Sequence, residues 1–335
     1  MKLTRLLTIA CFSLTIASSV QAQKYHAFIY NPGSGLTDIG TLGGDSSYAI
    51  GINDSGTIVG YSYLADNVTR HAFTWTASGG MVDLGTLSGG TWSEGQKINS
   101  SGEISGEGTD ANGFQVPLFW SSSTGFVSAG ESNGDTRNYG FSINDAGRIT
   151  GQIYTGEVVN AIYWDPNIGR LGFLPVLPGG QHMIGYDINN RDHIVGNGSQ
   201  PNGTYEAFVW SKKTGTRGIG FVSGASSTLA HAINDNDEVT GIGYIGANTS
   251  AFYWNRSTGI VVMQTLGGTI GAGLDIGPAG AIVGWSSNAS GQTHAALWSN
   301  YTSTPQDLGT LSGGNISYAY SINSSGQIAG FSTVP

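Results

Sequence analysis

The stretch Ala49-Ile50-Gly51-Ile52-Asn53-Asp54-Ser55-Gly56-Thr57-Ile58-Val59-Gly60 is the clearest of seven copies of one phrase in this chain of 335 residues. Successive copies of its second Ile are separated by 43 residues at the shortest, from Ile233 to Ile276, and by 46 at the longest, from Ile52 to Ile98. A period of this length indicates a fold that is built from repeated supersecondary units.

When the seven copies are aligned, three positions have the same type of residue in every copy. The Ile column is Ile52, Ile98, Ile143, Ile188, Ile233, Ile276 and Ile322. The Gly column is Gly60, Gly106, Gly151, Gly196, Gly241, Gly284 and Gly330. The Ala/Gly column is Ala49, Gly95, Gly140, Gly185, Ala230, Gly273 and Ala319.

One unit predicts four short β-strands. Residues 49–52 alternate small and large side chains, as expected of a half-buried strand. Asn53 to Gly56 is typical of a hairpin turn, because Asn caps the turn and Gly supplies a positive φ. Residues 57–62, 71–75 and 81–87 predict the second, third and fourth strands. The third strand ends in an aromatic residue in every unit: Tyr30, Trp75, Trp120, Trp164, Trp210, Trp254 and Trp298.

Seven units of four antiparallel strands predict an all-β, seven-bladed β-propeller. The chain opens with predicted strands three and four and ends with strands one and two, at residues 319–323 and 327–332. We expect the N-terminal strands to pair with the C-terminal hairpin and close the ring, since an open solenoid would need polar capping units. In that ring the Ile column should pack between blades, the Ala/Gly column should let inner strands approach closely, and the aromatic column should fill gaps between outer strands.

The first 22 residues have the features of a secretory signal peptide. Lys2 and Arg5 precede an apolar run from Leu6 to Ile16, and small residues before Gln23 suit cleavage near Ala22. The apolar run is shorter than the ~20 residues of a transmembrane helix. We therefore expect a single domain at residues 23–335 that is secreted or periplasmic.

Composition restricts the partners of this domain. The net charge is −9, and two of the 13 basic residues lie in the predicted signal. The basic patches that nucleic acids and anionic membranes require are absent from the sequence. The only cysteine, Cys11, lies inside the signal, where lipid attachment is an alternative, so the domain has no disulfide. No apolar stretch of ~18 residues follows the signal, and we expect a soluble monomer.

Three phrases together resemble a known repeat. They are His71–Trp75, Asp83–Gly90 and Ile52–Gly56, and they are similar to the HAF-type extracellular repeat of bacteria. The resemblance extends over residues 26–332 and is weakest at 116–138, where Val-Pro-Leu replaces the His-Ala-Phe phrase. It implies export and a repeated β architecture, and it implies no established activity.

Residues that repeat in every unit are scaffold, so candidates for function are those that break the repeat. In a propeller the loops after strands two and four share one face around the axis. The candidate ligand-binding residues there are Trp92, Glu94, Asp110, Asp135, Arg137 and His182. Aromatic rings with carboxylates and amides suit sugars, through stacking and hydrogen bonds. Lys97 and His231, on inner strands, are expected either along the channel or between blades.

The sequence contains no recognisable catalytic motif or metal motif. The column of the His-Ala-Phe histidine reads His26, His71, Val116, Asn160, Glu206, Ser250 and His294, and a metal ring would not tolerate Val. The acidic cluster at residues 234–238 could hold Ca²⁺ but lacks the spacing of a full calcium loop, and turn formation explains it. We expect no cofactor.

These observations favour an exported, non-catalytic protein that binds a glycan or an extracellular protein at its loop face. A structural component of the envelope or matrix is one alternative. A polysaccharide lyase or hydrolase that uses loop carboxylates and His182 is another.

Overall fold

A computed structural model of the chain describes residues 23–130 and 137–335. Within these ranges 28 β-strands form seven sheets of four antiparallel strands each, which confirms the predicted seven-bladed β-propeller. No helix of the described ranges is long and apolar enough to cross a membrane. The predicted signal peptide lies outside the described residues.

The strands are assigned to blades from the inner strand outward. The chain begins with β1 (Lys24–Asn31) and β2 (Gly35–Asp38), the outer half of blade 7. Blade 1 is β3 (Gly43–Ile52), β4 (Ile58–Leu64), β5 (Arg70–Thr76) and β6 (Gly80–Asp83). Blade 2 is β7 (Ser93–Ile98), β8 (Ile104–Thr109), β9 (Gln115–Ser121) and β10 (Gly125–Ser128). Blade 3 is β11 (Tyr139–Ile143), β12 (Ile149–Thr155), β13 (Val158–Asp165) and β14 (Arg170–Phe173).

The remaining strands continue this order around the ring. Blade 4 is β15 (Met183–Ile188), β16 (Ile194–Ser199), β17 (Tyr205–Ser211) and β18 (Gly215–Gly220). Blade 5 is β19 (Ser227–Ile233), β20 (Val239–Ile245), β21 (Asn248–Asn255) and β22 (Gly259–Val262). Blade 6 is β23 (Gly267–Ile276), β24 (Ile282–Asn288), β25 (Thr293–Trp298) and β26 (Gln306–Asp307). Blade 7 is completed by β27 (Ser317–Ile322) and β28 (Ile328–Val334).

The ring closes by pairing the two ends of the chain, as predicted. Strand β1 pairs antiparallel with β28, in a register that runs from Lys24 opposite Val334 to Tyr30 opposite Ile328. Blade 7 therefore has two strands from each terminus. Because every inner strand has a blade on both sides, the ring has no end that requires a cap.

A β-bulge in every inner strand explains the Gly column. In blade 4 the register shifts between Gly185 and Asp187, and the six other inner strands shift at the corresponding place. Each bulge presses a carbonyl oxygen of the inner strand against the second strand. A Cβ atom added at Gly196 would overlap the carbonyl oxygen of Ile184, and each other Gly of the column meets the matching carbonyl in its own blade.

The Ile and Ala/Gly columns pack against the preceding blade. An added Cβ at Gly140 would lie 2.7 Å from the carbonyl oxygen of Gly106, so a larger residue would hold the two blades apart. Ile52 is buried in one cluster with Ile29 and Ala329 of blade 7. The hydrophobic core is therefore divided among the gaps between blades, where each buried Ile contributes about 1.5–3 kcal/mol.

The fourth strands are shorter than the sequence predicts. Strand β6 ends at Asp83, whereas the prediction extends to Leu87. The physical reason is Gly85, whose φ of 68° turns the chain toward the next blade. In the aromatic column Tyr30, Trp164, Trp210 and Trp298 are buried, and the three other Trp residues are half-buried.

The His-Ala-Phe phrase has a structural explanation in blades 6, 7 and 1. His71 Nδ1 lies 2.9 Å from the carboxylate of Asp83, which also accepts the N–H of Gly85 at 2.7 Å. The same arrangement joins His26 to Asp38 and His294 to Asp307. The histidine thus fixes the third strand to the end of the fourth, where the chain leaves the blade.

Candidate functional site at the loop face of the channel

The axial channel has two ends, the turn face and the loop face. The turn face carries the hairpin turns between the first and second strands, at residues 53–57 in blade 1. The loop face carries the connections after the second and fourth strands, at residues 65–69 and 84–92 for the same blade. Both ends are built on the same seven inner hairpins, so they can be compared position by position.

A ladder of Asn side chains closes the turn face. The first residue of the turn donates from Nδ2 to the carbonyl oxygen of the corresponding residue in the next blade, at 3.0–3.1 Å. The donors are Asn53, Asn99, Asn144, Asn189, Asn234 and Asn323. Blade 6 has Gly277 at this position and cannot donate to blade 7. The Asn Oδ1 atoms accept N–H groups of their own turns, as Asn189 does from Arg191 and His193.

Next to the turn face, an ion-pair plug inside the channel joins three blades. Lys97 Nζ of blade 2 donates to Asp275 of blade 6 at 3.0 Å and lies 3.9 Å from Asp187 of blade 4. Burial lowers the pKa of the Lys97 ammonium, but the two carboxylates more than offset this and the net shift is upward. Burial raises the pKa of Asp187 despite Lys97. The three side chains line a cavity of about 210 Å³ on the turn side.

Aromatic rings stack along the channel on the loop side of this plug. Tyr186 lies 5.3 Å from Phe141 of blade 3 and 5.2 Å from His231 of blade 5, between ring centroids. Burial lowers the pKa of His231 to about 4, so its imidazole is neutral at physiological pH. Lys97 therefore lies in the channel, where it reaches blades 4 and 6, whereas the His231 ring contacts Tyr186 of the neighbouring blade.

At the loop face every blade presents one pair of residues that face each other across the inner hairpin. Each pair joins the residue before the Ala/Gly column to the residue after the Gly column. In blade order the pairs are Tyr48–Tyr61, Glu94–Glu107, Tyr139–Gln152, Ile184–Asn197, Leu229–Ile242, Ala272–Trp285 and Tyr318–Phe331. We call these seven pairs the pair ring. Directly opposed side chains lie on one side of a sheet and contact each other.

Blades 5, 6, 7 and 1 form an apolar arc of the pair ring. Trp285 contacts Tyr318 edge-on at 6.1 Å between ring centroids, and Tyr318 contacts Phe331 at 5.2 Å. Phe331 in turn contacts Tyr48 at 4.8 Å, and Tyr48 stacks on Tyr61 at 4.8 Å. All of these residues but Tyr61 are half-buried although they lie on the two innermost strands. Tyr48 and Phe331 also contact Tyr25, on the third strand of blade 7, at 5.7 and 5.6 Å between ring centroids. The rings therefore form one cluster at the loop end of the inner hairpins, with part of their surface exposed.

Blades 2, 3 and 4 form the opposite, polar arc. In blade 2 Glu107 is only 3% exposed, and its Oε1 accepts a hydrogen bond from Gln96 Nε2 at 2.8 Å. Its Oε2 has no hydrogen-bond partner among the described residues. The opposed Glu94 accepts from Arg70 Nε of blade 1. One carboxyl group of the pair is therefore neutralised by a guanidinium, and the other has only an amide.

The environment of Glu107 favours its protonated form. Burial raises the pKa of Glu107 well above its ordinary value, and the charge of Glu94 raises it further. Burial, and next the charge of Glu107, raise the pKa of the adjacent Tyr139 to about 12. Buried Gln115 Nε2 has no hydrogen-bond partner in the described part of the chain. The polar arc thus combines neutral hydrogen-bonding side chains with one ion pair, Arg70–Glu94.

Three of the six candidate residues adjoin the polar arc. Glu94 belongs to it, and the Arg70 guanidinium carbon that partners Glu94 lies 4.2 Å from the Trp92 ring centroid. Trp92 thus holds Arg70 in place. The Arg137 guanidinium carbon lies 3.8 Å from the Tyr154 ring centroid, and the Arg137 carbonyl accepts from Gln152 at 3.2 Å.

The other candidates lie elsewhere. Asp110 Oδ1 accepts the N–H groups of Asn112 and Phe114 at 2.9 Å, so this carboxylate caps its own loop. His182 Nδ1 accepts the N–H of Val159 at 3.2 Å, which ties its imidazole to the third strand of blade 3 and not to the pair ring. Asp135 lies outside the described residues.

The acidic cluster at residues 234–238 serves the turn face. Both carboxylate oxygens of Asp235 accept from Asn190, one from its backbone and one from its side chain. Asp237 accepts from Asn189 at 3.1 Å and lies 2.7 Å from His193 Nδ1. Within residues 23–130 and 137–335, no group of three or more His, Cys, Asp or Glu side chains is arranged to hold a metal ion.

Most of the pair ring was not predicted from the sequence. Glu107 and Trp285, and Arg70 that contacts the ring, lie on strands, whereas the prediction concerned the loops. A usable signal was present in the repeat. The positions that flank the Ala/Gly and Gly columns change chemistry from copy to copy, from Tyr to Glu to Leu, while the columns themselves do not change.

Several solved structures share the fold. An oligogalacturonate lyase from Vibrio parahaemolyticus matches with a TM-score of 0.57 and 11% identity, over 93% of this chain and 97% of that one. A putative TolB from Agrobacterium tumefaciens matches with a TM-score of 0.53 and 12% identity, over 94% of this chain and all of that one. An acylaminoacyl peptidase has a TM-score of 0.51 and 10% identity, over 82% of this chain and 45% of that one. No protein-family model and no curated protein sequence matches the chain. At these identities the similarity establishes the fold alone.

Proposed function

We propose that the protein is an exported binding protein whose loop face takes a saccharide. The observation that carries the proposal is the division of the pair ring into an apolar arc and a polar arc around one mouth. A pyranose ring has an apolar face of C–H groups and an edge of hydroxyl groups, so it can stack on one arc and hydrogen-bond to the other.

The apolar arc supplies stacking surfaces. Tyr48, Tyr318 and Trp285 are half-buried, and contacts through Phe331 hold their rings in fixed positions. Rings that are already ordered lose little conformational entropy when a ligand binds. This preorganisation favours a ligand with flat apolar faces.

The polar arc supplies hydrogen-bonding groups of both kinds. Glu94 is held by Arg70, and Gln152 and Asn197 stand at the corresponding positions in blades 3 and 4. Asn197 Oδ1 is buried without a hydrogen-bond partner among the described residues. Amides and carboxylates that are fixed by strand pairing can distinguish hydroxyl positions on a sugar.

Two further observations support binding and export. His182, the base required by the lyase or hydrolase alternative, uses its Nδ1 to accept the N–H of Val159, which favours binding over catalysis. The signal-like residues 1–22 support export. Export is tested by the N-terminus of the mature protein, which should be Gln23 in the periplasmic or secreted fraction.

A glycan array probed with residues 23–335, followed by titration calorimetry of the best ligand, tests the proposal. Tyr48→Ala or Tyr318→Ala should weaken binding about 10-fold, which corresponds to about 1.4 kcal/mol. The matched control is Tyr301→Ala, because Tyr301 stacks on Tyr253 at 4.2 Å in the connection after β25, at the turn face. Equal losses in all three variants, or no glycan bound by the wild type, would reject the proposal. Capture of a protein ligand at the same residues would replace the saccharide.

A further inference from the structure

Glu94 and Glu107 are directly opposed in the inner hairpin of blade 2. Two like charges in opposed positions destabilise a sheet, and the effect is larger where burial excludes water. Each carboxyl group has one donor in the structure, Arg70 for Glu94 and Gln96 for Glu107. One guanidinium, Arg70, therefore faces two carboxyl groups, and it lowers the pKa of Glu107 by less than burial and the charge of Glu94 raise it.

We propose that Glu94 and Glu107 share one proton at neutral pH, and that this proton leaves the two carboxyl groups and Arg70 without net charge, so that the mouth selects an uncharged saccharide and releases it at alkaline pH. The choice of ligand rests on the proposed function. The shared proton does not, because it follows from the geometry of the hairpin.

The orphaned oxygen of Glu107 supports the shared proton. As a carboxylate atom, Oε2 would be a buried acceptor without a donor, which is unfavourable because its lost hydration is not replaced. As a hydroxyl group it can donate to the Glu94 carboxylate across the hairpin. Burial and the charge of Glu94 both raise the pKa of Glu107, in agreement with this assignment.

The charges of the two carboxyl groups and of Arg70 then cancel. Arg70 on β5 balances Glu94, and Glu107 is neutral. Tyr139 on β11, which the charges of both carboxyl groups affect, has a pKa of about 12 and is also neutral. Lys97, further along β7, is paired with Asp275. Arg137 and Tyr154 also lie beside the polar arc, where the Arg137 guanidinium carbon is 3.8 Å from the Tyr154 ring centroid.

A mouth of this kind disfavours charged sugars. A uronate would add a negative charge beside Glu94, and an amino sugar would compete with Arg70 for it. Loss of the shared proton would leave two opposed, buried carboxylates. The single guanidinium of Arg70 would then have to balance two negative charges. We therefore expect constant affinity for a neutral saccharide from weakly acidic to neutral pH, and weaker binding as Glu107 ionises.

The shared proton is tested by infrared spectroscopy of residues 23–335 at neutral pH. We expect the carbonyl stretch of a buried protonated carboxyl group in the wild type and its loss in Glu107→Gln. The control is Glu103→Gln, since Glu103 lies at the turn end of the same hairpin, where it accepts from Asn99 at 2.8 Å. A wild-type spectrum without this band would overturn the proposal.

Ligand selection is tested by calorimetry of the same variants with the best neutral glycan and its uronate counterpart. Glu107→Gln cannot ionise, so its affinity for the neutral glycan is compared between neutral and alkaline pH and not with that of the wild type. The variant should abolish the alkaline loss of affinity, which Glu103→Gln should keep. A persistent alkaline loss in Glu107→Gln, or preference for the uronate, would overturn the selection.

Two further outcomes distinguish the separate claims. A carboxyl band without glycan binding at any pH would reject the proposed function and the ligand selection, and it would support the shared proton. A Ca²⁺-dependent rise in melting temperature that Glu107→Gln removes would assign a cation to the pair and overturn the shared proton.

Discussion

The two ends of the seven inner hairpins follow opposite rules. At the turn face the same Asn recurs in six blades and makes the same bond to the next blade. At the loop face no two blades have the same pair, and side chains as different as Glu and Leu occupy equivalent positions. The distance along a strand between the two ends is only a few residues.

This difference shows how the repeat divides its tasks. A closed ring is favoured when neighbouring blades present matching groups to each other, and at the turn face six of the seven blades do so with Asn. At the loop end this constraint does not apply. The bulge and the Gly column fix the backbone there, so the side chains of the flanking residues can differ between blades. Variation between blades can therefore accumulate in the pair ring without opening the propeller.

The largest stability effect is expected from the Gly column, which both ends share. Gly196→Ala should destabilise the protein by about 3 kcal/mol, since the new Cβ would overlap the carbonyl of Ile184. Chemical denaturation measures this loss. In the control Gly172→Ala the nearest atom is 3.7 Å from the new Cβ, and the change should stay within about 0.5 kcal/mol. Equal effects would show that the bulge does not constrain the column.

The next effect is expected at the turn face. Asn189→Ala removes the bond to blade 5 and leaves the turn N–H groups of Arg191 and His193 without their acceptor. We expect a loss of about 2 kcal/mol in one cooperative thermal transition of the whole ring. Exposed Asn112, in a loop, is the control position for Asn→Ala. If one blade melted separately, the Asn ladder would not couple the stability of all seven blades.

The missing rung at blade 6 offers a gain of stability. Gly277→Asn should complete the ladder to Asn323 and add about 1 kcal/mol, because a Cβ at this site is 3.5 Å from its nearest neighbour, the Ile322 side chain. The control Gly277→Ala restricts the backbone of the unfolded chain in the same way but adds no side-chain hydrogen bond. The difference between the two variants therefore measures the hydrogen bond of the Asn amide. If both variants gain equally in melting temperature, the amide makes no rung.

The smallest effect is the pH dependence of stability from the loop face. Because the pKa of Glu107 is raised in the folded state, the folded protein binds more protons than the unfolded chain above the ordinary pKa of about 4.3. Its contribution is complete below that value and is lost as pH rises through the raised pKa. Asp187 shifts in the same direction, so Glu107→Gln should remove part of the slope of unfolding free energy against pH. An unchanged slope would contradict the assignment.

Local patterns predicted the fold, because each blade is a set of strands and turns whose signals lie within one repeat. Blade number, ring closure and the packing of the columns all followed from the period and the turn residues. The end of β6 was not predicted correctly. It depends on the positive φ of Gly85, which the residue types at positions 81–87 do not indicate. The role of the histidine in the His-Ala-Phe phrase could not be predicted, because it depends on a contact with Asp83, which is 12 residues away.

The site was harder to predict because its contacts join different repeats. Lys97 reaches Asp275, 178 residues further along the chain, and no local pattern encodes that contact. Arg70 and Glu94 are 24 residues apart and belong to different blades. The register that opposes Glu94 to Glu107 follows from the bulge, which shifts the pairing by one residue and is invisible in the alternation of side chains.

The central claim is that the loop face binds a saccharide and the turn face does not. Chemical-shift mapping of the best array glycan on protein labelled in its aromatic side chains tests it most directly. We predict perturbed ring signals for Tyr48, Tyr318 and Trp285, and unchanged signals for Tyr301 and Tyr253. Perturbation confined to Tyr301 and Tyr253, or no perturbation of any ring at saturating glycan, would contradict the claim.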